Sequence, residues 1–80
     1  SDANNFEKKD ISEGIKRFYI YTAEMNEKLR RLGDAVKLYE RALALELSDS
    51  EKKHVKEKLM ALYEKLGKIR EYMILKNSVN

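Results

Sequence analysis

The chain has 80 residues, 42% of them hydrophobic and 39% charged, with no proline, no cysteine, no tryptophan and three glycines. One modest core is all that such a length can build, and the mixture is too apolar for a disordered tail and too charged for a bilayer. The longest apolar run is four residues, Tyr72 to Leu75, where a membrane-spanning helix needs about 18 or more. Seventeen basic against fourteen acidic residues leave +3, too mild an excess to announce nucleic acid by itself.

Residues 1–9 hold one aromatic, Phe6, among polar and small side chains with no periodicity. They are expected to form a disordered leader, with the folded domain over 10–77 and a second disordered stretch over 78–80. The absence of cysteine rules out a disulfide framework and agrees with a reducing, cytoplasmic compartment.

Ile11, Ile15, Phe18, Thr22, Met25, Leu29 and Leu32 follow at steps of 4 and 3, the spacing of an amphipathic helix. Asp10 and Glu13 have capping-box spacing at its start. Gly33 is expected to end this helix in the left-handed conformation, with Asp34 capping the next. The second helix runs from Asp34 to about Leu47, with Ala35, Leu38, Tyr39, Ala42 and Leu45 on one face. Ser48 and Glu51 form a second capping box. A third helix carries Val55, Leu59, Leu62, Leu66, Ile69 and Met73 at the same steps, with Gly67 inside the pattern as either a kink or a point of close helix approach. Short connections make consecutive helices antiparallel neighbours. The expected fold is all-α: an antiparallel up-down-up three-helix bundle.

The helices differ in reach, at about 33, 21 and 42 Å for 1.5 Å per residue. Apolar overhangs therefore remain at both ends, Ile11, Ile15 and Phe18 on the first helix and Leu66, Ile69, Tyr72 and Met73 on the third. Either the third helix folds back at Gly67, or a second copy or another protein covers them; the unbroken heptad phase through Gly67 favours association.

Convergent catalytic groups are missing. His54 is the sole histidine, and with Glu51 it offers only a two-ligand fragment. No phosphate loop or nucleophile–base set is present, so the expectation is a non-enzyme without metal or cofactor. Lys52, Lys53, Lys56, Lys58, Lys65, Lys68, Arg70 and Lys76 make the third helix the basic one, and nucleic-acid binding on that face is the alternative function. Glu51, Glu57, Glu64 and Glu71 interleave with them, as on a solvated, salt-bridged face.

The segment Gly33-Asp34-Ala35-Val36-Lys37-Leu38-Tyr39-Glu40-Arg41-Ala42-Leu43 resembles the second helix of a tetratricopeptide hairpin. It is equally similar to the second helix of the MIT (microtubule-interacting and trafficking) domain, whose third helix resembles Lys58 to Met73. The MIT resemblance implies a partner helix between the second and third helices, in pockets lined by Val36, Leu43, Leu59, Met60 and Tyr63.

Ile20, Ile74 and Leu75 lie off the core seams, and Tyr19, Tyr21 and Tyr72 flank them; tyrosine suits interfaces because it joins apolar area to a polar tip. The sequence therefore points to a protein-interaction module that self-associates, docks a partner helix, or both. Its expected contact residues are Ile11, Ile15, Phe18, Tyr19, Ile20, Tyr21, Leu66, Ile69, Tyr72, Met73, Ile74 and Leu75.

Overall fold

A computed structural model describes the backbone of residues 2–78 and the side chains of residues 11–78. Among these residues the chain is helical without strands: α1 Asp2–Lys28, α2 Leu32–Leu43, α3 Asp49–Lys65 and α4 Ile69–Asn77. The leader expected over 1–9, and all of the tail expected over 78–80 except Ser78, fall on residues whose side chains lie outside that range.

Four helices replace the expected three. The third heptad pattern is broken where Gly67 takes φ +71°, a left-handed conformation that glycine enters without a Cβ penalty. Lys68 N–H then donates to Tyr63 O at 2.8 Å and Gly67 N–H to Glu64 O at 3.1 Å, the paired bonds of a Schellman motif. Heptad phase continues through the glycine, but the chain reverses there. The reversal brings Tyr72 and Leu75 of α4 back against the core.

The same turn joins α1 to α2. Here Arg30 adopts φ 62°, Arg31 N–H donates to Asn26 O at 2.8 Å, and Arg30 N–H donates to Glu27 O at 3.0 Å. Gly33, expected at this turn, instead lies in the first turn of α2 with Asp34. Starting α2 at Leu32 places Leu32 on the side that also carries Ala35, Val36 and Tyr39, so one more apolar side chain packs against the core. The cost is a non-glycine residue at a left-handed position. Arg30→Gly should therefore raise stability by about 0.5–1 kcal/mol and Gly67→Ala should lower it by a similar amount, both read from urea midpoints.

Ser48 caps α3 as its spacing requires. Its hydroxyl accepts from Glu51 N–H at 3.2 Å, and Glu51 Oε1 accepts from Ser48 N–H at 2.8 Å. Two orphan donors at the helix start are satisfied by one exchange.

Ala23, Ala35, Val36, Tyr39, Val55, Leu59, Leu62 and Tyr63 form the core, with Tyr39, Val55 and Leu59 the largest side chains fully enclosed. α2 packs against both α1 and α3, and α4 packs against α3. The whole measures 48 × 30 × 16 Å between Cα extremes. The Cα cylinder of a helix is about 5 Å across and packed neighbours sit about 8–10 Å apart, so the thinnest direction holds two layers of helices, with α2 packed on both α1 and α3.

Candidate docking surface

The longest helix is attached to the rest of the chain by its charged side. Lys16, only 7% exposed, places Nζ 2.6 Å from Glu13 Oε1 and 3.1 Å from Glu51 Oε1. Glu24 Oε2 lies 3.4 Å from His54 Nε2, and Glu27 Oε2 lies 3.7 Å from Lys58 Nζ. These contacts rise in the same order along both helices, so α1 and α3 run parallel. Tyr39 of α2 donates its hydroxyl to Glu27 Oε1, and Tyr63 of α3 donates to Glu40 Oε2 at 2.6 Å. Burial first, and the adjoining carboxylate second, push both phenols well above the ordinary tyrosine value.

Glu51 serves two elements at once. Its carboxylate is held below the usual range, chiefly by the Ser48 N–H and then by Lys16. Lys16 is correspondingly raised, the bond to Glu13 outweighing its loss of solvent. A carboxylate whose folded value is depressed contributes stability above its unfolded value, near 4.5, and loses that contribution as pH falls through the folded value. The wild-type urea midpoint should thus drop on acidification below about pH 4.5. Glu51→Gln retains an acceptor for the cap but carries no charge; it should lower the midpoint at neutral pH and flatten that acid limb.

With Lys16, Ala23 and Glu27 turned inward, the heptad seam of α1 faces away from the molecule. Ile11, Ile15, Phe18, Met25 and Leu29 are exposed, Phe18 at 61% and Leu29 at 59%. The seam was expected to supply core contacts along most of its length. It lies about half a helical turn from Ile20, which is half-buried and packed on the core instead. Ser12, Gly14, Tyr19, Tyr21, Thr22 and Asn26 border the seam, and among the described residues Arg17 and Lys28 carry the charges along its edge. The helix is amphipathic with its apolar side outward. Phe18 and Tyr19 meet edge to face, ring centroids 5.7 Å apart.

The expected contact residues thus divide. Ile11, Ile15, Phe18 and Tyr21 are exposed together on α1, while Tyr19 and Ile20 are half-buried. At the opposite end Leu66, Ile69, Met73 and Ile74 are exposed on α4 and the turn before it, whereas Tyr72 and Leu75 pack against the core. Of the residues that the MIT resemblance places in a groove, Val36, Leu59 and Tyr63 are closed inside the core, and Leu43 and Met60 are half-buried. The charged attachment of α1 escaped sequence reasoning. Its signal was the concentration of Glu13, Lys16, Glu24 and Glu27 on the side of the helix that also carries Ile20 and Ala23.

Among the described residues there is no group of three or more histidine, aspartate and glutamate side chains placed to hold a metal ion. No described helix is long and apolar enough to cross a membrane. No protein-family model matches the chain, and neither a curated protein nor a solved structure matches it.

Proposed function

We propose that the chain is a non-enzymatic protein-interaction module that docks a helix of another protein molecule, its own kind included, on the outer face of α1. The observation that carries this reading is the exposed apolar row Ile11, Ile15, Phe18, Met25 and Leu29 on a single helix whose Lys16, Glu24 and Glu27 pair with α3 on its other side. Soluble chains rarely leave so continuous an apolar strip in water. A partner helix would offer apolar residues at i, i+3, i+4 and i+7 to match it. Lack of cysteine suits a reducing, cytoplasmic setting.

Selection of a displayed library of amphipathic helices against the dilute chain tests the reading, with Phe18→Asp as the counter-target. Helices retained by the chain and lost on Phe18→Asp are expected. A library that enriches nothing, or that enriches equally on both, overturns it.

A further inference from the structure

The two helical hairpins are built on one plan. Arg30 and Gly67, 37 positions apart, both take a left-handed conformation, at φ 62° and 71°. The residues that follow are alike as well, Arg31 at φ −93°, ψ 70° and Lys68 at φ −85°, ψ 69°. Each bond of the first turn has its equivalent in the second: Leu29 N–H to Met25 O and Leu66 N–H to Leu62 O, Ala35 N–H to Arg31 O and Tyr72 N–H to Lys68 O. The α1–α2 pair and the α3–α4 pair are two copies of one structural unit.

That equivalence gives the outer face of α1 a counterpart within the chain. Phe18, Thr22, Met25 and Leu29 correspond to Val55, Leu59, Leu62 and Leu66 of the second hairpin. On α3, Val55, Leu59 and Leu62 are 0–3% exposed, because α3 packs onto the preceding hairpin. The receiving side has counterparts too. Leu32, Val36 and Ala23, packed in or against the core, correspond to Ile69, Met73 and Met60. Val36 is enclosed, whereas Ile69 and Met73 remain exposed. The molecule thus shows the inserting half of its internal junction at one end and the receiving half at the other. Repeat proteins bury such faces by stacking successive units.

We propose that a second copy of this chain docks head to tail, the outer face of its α1 seating on the α3–α4 hairpin of the first as α3 seats on α1–α2. This rests on the docking function proposed above and names the occupant. The polar positions agree. Tyr21 of the second copy takes the place of Lys58, and Glu64 of the first copy that of Glu27, so a phenol meets a carboxylate where an ion pair stands now. Asn26 and Asn77 take the places of Tyr63 and Glu40. Lys53, the counterpart of Lys16, meets Gly14 rather than a like charge. An offset, non-closing contact of this kind leaves a free end on each side and builds an open series rather than a closed pair.

Two single substitutions test the arrangement by sedimentation over a concentration series, with helicity followed by circular dichroism. Phe18→Asp disables only the α1 end and Met73→Asp only the α4 end; Leu29→Asp and Ile69→Asp replace them if either loses helicity. The wild type is expected to form a ladder of species, each variant alone to be monomeric, and an equimolar mixture to form a 1:1 dimer through the two intact ends. A wild type that stays monomeric overturns the second copy as occupant, while the helix-library selection still decides the docking reading. Met73→Asp that dimerises alone, or a mixture that stays monomeric while the wild type assembles, overturns the head-to-tail arrangement.

Discussion

Replacement of Leu59 by alanine is expected to remove much of the chain's stability. Leu59 is 1% exposed at the contact of α3 with α2, among Val36, Val55, Leu62 and Tyr63. Truncating a buried leucine costs about 2–5 kcal/mol, combining lost transfer energy with the cavity left behind. A chain of this length has only about 4–12 kcal/mol in total. The urea midpoint should fall steeply, and a broad, partly unfolded baseline at 25 °C would accompany a value near the upper bound. Phe18→Ala makes the matching control. Phe18 occupies the equivalent of Val55 in the first hairpin but is exposed, so in dilute monomer its loss should change stability by less than about 0.5 kcal/mol. A Leu59→Ala midpoint within error of wild type would mean that α3 is not anchored through this side chain.

The second large effect belongs to Tyr39, which is fully enclosed between α1 and α2 and donates its hydroxyl to Glu27. Two substitutions separate its parts. Tyr39→Phe keeps the ring and removes the donor, leaving the Glu27 carboxylate to Lys58 at 3.7 Å alone; about 1–2 kcal/mol should be lost. Tyr39→Ala also empties the space that the ring fills, and about 3–5 kcal/mol is expected. Equal losses for the two variants would show that the hydroxyl, not the ring, carries the contribution.

Much of the helical content was legible because it is written in local spacing. The Ser48–Glu51 box begins α3 where the sequence puts it, and of the two readings open at Gly67, a kink or a close helix approach, the structure shows a break, which the unbroken heptad phase had argued against. Two features were not. Arg30 in a left-handed turn has no local sequence signal, since arginine normally avoids that region; the packing of Leu32 is what selects it. The orientation of α1 is the larger lesson. A heptad seam establishes that a helix has an apolar stripe, yet it is silent on which molecule covers it. Here Lys16, Ala23 and Glu27 won the inner side, because α3 offers Glu51 and Lys58 and α2 offers Tyr39 at the facing positions. The equivalence of the two hairpins was hidden for a related reason. Across the turns Glu27-Lys28-Leu29 repeats as Glu64-Lys65-Leu66 and Leu38 matches Leu75, a match too short to mark a repeat, and the rest of the similarity resides in backbone angles.

The position of α2 sets a hierarchy of local opening. It is the one helix packed against both long neighbours, and it carries four buried residues within twelve, whereas α4 has none. The amide protons of α2 are accordingly those that exchange with solvent only when the whole chain unfolds. Those of α4 can exchange by fraying that leaves the first hairpin intact. The C-terminal helix is the part that gives way first under strain, and the shared inner helix is the last to let go.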